Sequence, residues 1–170
     1  MEDSMFNLKP YNRKNALRYA HAWSYFRNPN YMDFSLLGGD CTNFISQCLY
    51  AGCEIMNPTP VYGWYYWSPS QRTASWTGVK FLHKFLTQNE GIGPFGKEVT
   101  IDEVLPGDII QLANAENTFY HSLLIVAVLG SPSPSNLLIA THTLDSDYRP
   151  LATYDYFFAR FIHIEGIRTP

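Results

Sequence analysis

LLGGDCTNFISQCLYAGC, residues 36–53, contains all three cysteines of the chain. Apolar residues recur within it at helical spacing, at Phe44, Ile45, Cys48 and Leu49. This spacing predicts a helix over 40–52 that has Asp40 as its N-cap and ends at Gly52. The first cysteine, Cys41, would therefore stand in the first turn of a helix, directly after two glycines.

A thiol in the first turn of a helix has an unusual electrostatic setting. Backbone N–H groups there are unpaired and carry partial positive charge, so a thiolate is stabilised and the pKa of the thiol is lowered. The same N–H groups can stabilise an oxyanion, and Gly38-Gly39 leaves room for a substrate. Cys41 is therefore a candidate nucleophile. The alternative, that it is a small core residue like Cys48 and Cys53, fits the helix alone equally well.

Helices are predicted first along the chain and strands afterwards. Further helices are expected over 12–28, with Asn12 as N-cap, and over 77–91. Alternating or continuous apolar runs predict strands over 106–112, 119–129, 136–142 and 156–164.

The segments between these elements complete the prediction. The Pro-rich segment 130–135 predicts a turn, hence a hairpin between the second and third strands, and the aromatic stretch 57–70 is expected to be a loop. The order indicates an α+β fold in which N-terminal helices pack on an antiparallel sheet. We expect one domain over residues 1–170.

Composition excludes several classes of function. The formal net charge is -3 and the basic residues are scattered, so no nucleic-acid partner is expected. The longest apolar run, 123–129, is too short to span a membrane. The N-terminal segment lacks the apolar core of a signal peptide, so we expect a cytoplasmic location unless the chain is a fragment of an exported protein. Three cysteines without CxxC spacing favour neither a disulfide framework nor a zinc ribbon.

The histidines supply a candidate base for Cys41. His21 and His83 lie within predicted helices and His163 within the last strand, where structural roles are the simplest reading. His121 and His142 stand on the two strands of the predicted hairpin.

The register of that hairpin decides whether these two histidines meet. Facing residues have numbers with a constant sum, so an odd constant places His121 and His142 on one face and an even constant places them on opposite faces. With an odd constant, Cys41, one histidine as base and the other as orienting residue would form a catalytic triad. The same three residues could instead bind zinc, but they lack the short-spaced ligand pairs of such sites.

The motif GGDCTNFISQCLYAG, residues 38–52, resembles the signature of the putative amidase domain family common in spore-forming bacteria. This family is a branch of the NlpC-like and CHAP-like cysteine peptidases, which share a papain-like fold. The similarity covers nearly the whole chain, including YGWYYW, LPGDIIQL, YHSLLIV and THTLDSDYRPL.

The resemblance implies roles for individual residues. Cys41 would be the nucleophile, His121 the general base, and His142 the polar third residue on the following strand, with Asp145 as the alternative. Asp40 would cap the helix and share in the oxyanion environment. Relatives in the wider group cleave peptide or amide bonds of bacterial cell walls, so a peptide or peptidoglycan-derived substrate is implied, with no cofactor and no metal.

The aromatic stretch 61–76 has two interpretations. Its side chains could bind an extended substrate beside the cleft, or they could cover the sheet as part of the core, and the second interpretation is favoured for most of them. Trp64, Trp67 and Arg72 are the candidates for substrate contact.

The sequence therefore predicts a cysteine-dependent amidase or peptidase that forms an acyl-enzyme on Cys41. Two alternatives stay open. One is a catalytically idle module of the same fold that binds cell-wall material or a protein. The other is an acyltransferase or transamidase that uses the same Cys-His pair.

Overall fold

The computed structural model describes residues 5–170 and contains a seven-stranded antiparallel sheet. Its main path runs in the order β1-β9-β5-β6-β7-β8, and β4 pairs with β9 beside that path. The strands are β1 (Asn7–Lys9), β4 (Gly93–Val99), β5 (Ile109–Ala113), β6 (Phe119–Val128), β7 (Leu137–Thr141), β8 (Ser146–Pro150) and β9 (Phe158–Thr169). A separate two-stranded hairpin consists of β2 (Tyr66–Ser68) and β3 (Gln71–Arg72).

The three predicted helices are present with shifted ends, as α1 (Arg13–Trp23), α2 (Cys41–Cys53) and α4 (Val79–Gln88). The short helix α3 (Ala74–Thr77) was not predicted, and β2 lies within the segment 57–70 that was expected to be a loop. Asn12 caps α1 as predicted, since its side chain accepts the backbone N–H of Asn15 at 3.0 Å. Among residues 5–170, no helix has the length and apolar character needed to cross a membrane.

Two apolar clusters lie on opposite faces of the sheet. On one face, α1, α2 and α4 pack through residues such as Ala20, Phe44 and Leu82 against Leu124 and the central strands. The other face carries a smaller cluster made of Val104, Ile110, Leu112, Leu123, Ile125, Leu137, Ile139 and Leu151. Alternate residues of β6 therefore face different surroundings, because successive side chains of a strand point to opposite faces.

Asp108, in the PGD segment before β5, ties the two central strands to α1. Its carboxylate accepts the backbone N–H groups of Leu105 and Ile164, and it pairs with Arg13 and His163 at 2.8 Å each. The carboxylate is fully buried and every contact is to protein, so we assign Asp108 and His163 a structural role.

The hairpin of β6 and β7 contains a register shift that the sequence did not reveal. Next to the turn, Val128 faces Leu137, whereas beyond a bulge Leu124 faces Ala140. The sum of facing residue numbers thus changes from odd to even before the strand reaches the histidines. One extra residue in one strand produces such a change. The even register places His121 and His142 on opposite faces of the sheet.

Candidate active site

Cys41 is the first residue of α2 and is nearly buried, with 7% of its surface exposed. Gly38 and Gly39 approach it with φ of 97° and 105°, a left-handed conformation that favours glycine. Asp40 occupies the N-cap position, but its side chain makes no capping hydrogen bond; only its backbone carbonyl accepts the N–H of Phe44, at 3.0 Å. The expected carboxylate cap is therefore wrong, because this carboxylate is engaged elsewhere.

The start of α2 is held against β6 at Ser122. The hydroxyls of Thr42 and Ser122 lie 2.9 Å apart, and the Ser122 carbonyl accepts the Thr141 hydroxyl at 2.8 Å. β7 ends at Thr141, and beyond that point the Ser122 backbone N–H lies close enough to the Cys41 thiol to lower its pKa. The nucleophile candidate thus lies beside the backbone of the residue that follows His121.

The pKa of the Cys41 thiol is raised, contrary to the expectation from the helix start. Burial raises it most, and the nearby charge of Asp40 raises it further. Hydrogen bonds from the Ser122 backbone and from Thr42 act in the opposite direction but do not outweigh burial. Cys41 in this closed structure is therefore a neutral thiol at neutral pH.

His121 faces the side of the sheet that carries the smaller apolar cluster. It is 7% exposed, and its ring centroid lies 5.8 Å from that of Tyr154. Burial, with a smaller contribution from the charge of Arg149, lowers the pKa of His121 to about 4. Its ring nitrogens have no hydrogen-bond partner within residues 5–170, so a neutral imidazole is free to accept a proton.

His142 is on the helix-covered face and does not bond His121. Its Nδ1 lies 2.5 Å from Asp40 Oδ2, and its Nε2 donates to the Trp23 carbonyl at 2.8 Å. Its ring also stacks on Phe44, with centroids 4.1 Å apart. Both ring nitrogens are thus occupied, and the predicted contact in which His142 orients His121 is absent, for the reason of register given above.

Asp145, the alternative third residue, is also engaged elsewhere. Its carboxylate accepts two hydrogen bonds from Arg27, at 2.9 and 3.1 Å. Arg27 Nε lies 3.7 Å from Asp40, so the two aspartates belong to one network around the start of α2. Asp40 Oδ1 in turn accepts the Phe34 N–H and the Asn43 amide. This network fixes the loop that delivers Cys41.

The three candidates for substrate contact have different positions. Trp64 is a core residue with no exposed surface; its indole N–H donates to Ser46 at 3.1 Å, so the prediction that it contacts substrate is wrong. Trp67 is 59% exposed and stacks on Tyr65. The Arg72 guanidinium lies over the ring of Phe34, in the loop before Cys41, at 4.5 Å.

Two exposed loop tips border the start of α2. Leu36 is 96% and Leu144 is 81% exposed. A Cβ placed on Gly39 would lie 3.7 Å from the Thr143 hydroxyl, which shows that the two loops are adjacent. Leu36 and Leu144 are thus exposed apolar side chains on two adjacent loops, one of which leads into α2, and we call them the apolar rim.

The zinc alternative has no ligand set in the part of the chain that the structure describes, where no three His, Cys, Asp or Glu side chains are gathered around one point. Cys48 and Cys53 are buried free thiols, and burial raises the pKa of both. Of the three cysteines, Cys41 is the one at the start of α2, where its thiol lies 3.8 Å from the Thr42 hydroxyl.

Sequence reasoning missed Thr42, Ser122 and Tyr154 as neighbours of the candidate pair. Ser122 directly follows His121, so its backbone could have been considered. No pattern in the sequence brings Tyr154, in the loop between β8 and β9, to this place.

The fold and the site define a mixed α and β protein with an antiparallel sheet and a cysteine at a helix start beside a strand that carries a histidine. The chain belongs to the putative amidase domain family, whose family model matches residues 10–164. This membership suggests amidase activity. The chain is also 33% identical over 141 residues to the uncharacterized protein YhbB of Bacillus subtilis (strain 168).

That alignment covers 82% of this chain and 43% of YhbB, so the chain spans less than half the length of this relative. No solved structure matches the chain.

Proposed function

We propose that this chain is a cysteine-dependent amidase of a papain-like, NlpC-type fold, in one domain over residues 1–170, with Cys41 as nucleophile and His121 as general base. The observation that carries the proposal is the contact between α2 and β6 at Ser122, where the Thr42 and Ser122 hydroxyls lie 2.9 Å apart and the Ser122 backbone N–H is near enough to lower the pKa of Cys41. It brings the thiol at the start of α2 to the strand position next to His121. A cysteine on a helix followed by a histidine on a strand is also the order of that fold.

The proposed reaction begins with a neutral pair. The Cys41 sulfur attacks the amide carbonyl carbon while His121 takes the thiol proton, and the oxyanion is stabilised by N–H groups at the start of α2. His121 then gives the proton to the amide nitrogen as the C–N bond breaks, which releases an amine and leaves a thioester on Cys41. Water, deprotonated by His121, attacks the thioester; the carboxylic acid leaves and the thiol is restored.

His142 and Asp40 serve this reaction as positioning residues. The buried contact between them, with the bond from His142 to the Trp23 carbonyl, connects the start of α2 to the end of α1. It holds Cys41 in place against β6 and contributes no proton to the reaction in this proposal.

For the substrate we propose a peptide derived from bacterial peptidoglycan. The support is the resemblance of the cysteine motif to wall-degrading enzymes and the apolar rim formed by Leu36 and Leu144. Exposed aliphatic side chains beside a nucleophile can cover an extended peptide from water.

The test is incubation of the protein with purified muropeptides, followed by mass spectrometry of the products. We expect new amine and carboxylate termini with the wild type, none with Cys41→Ala or His121→Ala, and unchanged activity with Cys48→Ala. A product linked to an added amine would identify the acyltransferase alternative. If the wild type releases nothing yet binds muropeptides, the idle module is correct and the enzyme proposal fails.

A further inference from the structure

Arg149 and Tyr154 lie next to His121, and each has a hydrogen-bond donor that no described residue accepts. Arg149 lies at the end of β8, and Tyr154 follows in the loop before β9. The guanidinium carbon of Arg149 lies 3.8 Å from the centroid of the Tyr154 ring. The ring of Tyr154 lies in turn 5.8 Å from that of His121.

The Tyr154 hydroxyl is buried and has no hydrogen-bond partner among the described residues. Ser146 and Arg149 lie near enough to lower its pKa against the larger effect of burial, but neither meets it in hydrogen-bonding geometry. A buried hydroxyl without a partner is costly, and a native protein that retains one has a reason for it. The Tyr154 hydroxyl also lies within electrostatic range of Cys41, whose thiolate form would raise the pKa of the phenol.

Arg149 carries a positive charge that no carboxylate neutralises within residues 5–170. Its Nε and Nη2 donate to the hydroxyl and carbonyl of Thr153, and its Nη1 makes no hydrogen bond there. Asp145 pairs with Arg27 and Asp147 with His21, and Asp155 forms no ion pair with Arg149 within the described residues. The charge of Arg149 reaches His121, whose pKa it helps to lower.

We propose that Arg149 and Tyr154 form a carboxylate-binding subsite beside the Cys41–His121 pair. This inference rests on the proposed function and narrows its substrate to amides that carry a free carboxylate close to the scissile bond. The guanidinium supplies the charge and an N–H donor, and the phenol supplies a second donor; a carboxylate accepts both. The phenol keeps its proton at neutral pH because burial raises its pKa.

Two alkylating reagents test this subsite without knowledge of the substrate. Iodoacetate and iodoacetamide transfer nearly isosteric groups to a thiolate and displace iodide, but only the first carries a carboxylate. Mass spectrometry gives the rate of each reaction at Cys41. We expect the ratio of the iodoacetate rate to the iodoacetamide rate to be about tenfold higher in the folded protein than in the unfolded chain, as a charge-assisted hydrogen bond allows. Added salt should reduce this preference.

The variants Arg149→Gln and Tyr154→Phe should each lower the ratio, because each should slow the reaction with iodoacetate more than the reaction with iodoacetamide. Arg168→Gln is the matched control, because Arg168 also lies over an aromatic ring, Phe95, at 3.8 Å but at the far end of β9. An unchanged ratio in both subsite variants would overturn the inference and leave Cys41 as nucleophile. If Cys41 reacts with neither reagent in the folded protein, the proposed function fails as well. The pKa of His121, measured by NMR, is a second readout. Arg149→Gln removes a positive charge that lowers this pKa, so the pKa should rise in the variant.

Discussion

Asp40 and His142 form a buried contact in which carboxylate oxygen and ring nitrogen are 2.5 Å apart. Both side chains are at most 2% exposed, and neither points at the thiol of Cys41. The pair lies at the base of the loop that leads into α2. The pair therefore concerns the placement of Cys41, the proposed nucleophile, and it is distinct from the proton transfer that we propose for His121.

Removal of one partner should destabilise the protein strongly. For His142→Phe, which retains a ring against Phe44, we expect the free energy of unfolding to fall by roughly 3–5 kcal/mol, because Asp40 is left buried without its partner. Urea denaturation measures the change. The double variant Asp40→Leu/His142→Phe should lose less than the sum of the two single variants; additive losses would show that the two residues act independently.

The stability of the fold should depend on pH through His121. Its pKa is about 4 in the folded protein and near 6.5 in the unfolded chain, so the unfolded state binds the extra proton first as pH falls. Stability is complete above pH 6.5 and decreases by about 3 kcal/mol between pH 6.5 and 4 from this residue. Denaturation at both pH values should show this decrease in the wild type and a correspondingly smaller one in His121→Gln. An equal decrease in stability in the wild type and in His121→Gln would contradict the prediction and show that the His121 imidazole is solvated.

The two tryptophans of the aromatic stretch should respond differently to truncation. Trp64→Ala empties a fully buried site and should cost roughly 3–5 kcal/mol of stability. Trp67→Ala removes an exposed ring and should change stability by less than about 0.5 kcal/mol. Thermal or urea denaturation distinguishes them. A raised KM for muropeptides in Trp67→Ala alone would identify Trp67 as a substrate contact.

The reactivity of Cys41 should continue to increase in alkaline solution. Burial raises its thiol pKa above the ordinary value of 9.0, so the iodoacetamide rate should still increase at pH 9 instead of reaching a plateau near neutrality. Cys48, which has no exposed surface, should react only after unfolding. A plateau at pH 7 would show that thiolate and imidazolium form an ion pair in the resting protein.

The elements with strong local signals were predictable from the sequence. The Asn12 cap and the apolar spacing of 40–52 gave α1 and α2, and apolar runs gave β5, β6, β7 and most of β9. The strand β4 was not predictable, because its sequence GPFGKEV has the glycine and proline content of a loop. Glycine is required at position 96, where a Cβ would lie 2.3 Å from the His163 carbonyl oxygen.

The positions of the candidate residues Cys41 and His121 were predictable from the sequence, but the connections of the candidate site were not. Cys41 and His121 follow from a helix start and a strand start. The partners of His142 depend on the bulge in β6, and a bulge depends on packing that no local pattern records. Aromatic residues in a Pro-rich segment fit either environment, so the sequence offers Trp64 as a candidate for substrate contact and does not reveal that it is buried.

The bulge between Ile125 and Ala127 also constrains how this hairpin can vary in length among related chains. A gain or loss of one residue between the bulge and His121 would exchange inward and outward positions, so the imidazole of His121 would turn toward the helices. A change of two residues would restore the original orientation. Insertions or deletions of two residues in this part of the strand should therefore be tolerated better than those of one residue. The turn at 130–135 can gain or lose any number of residues without this effect.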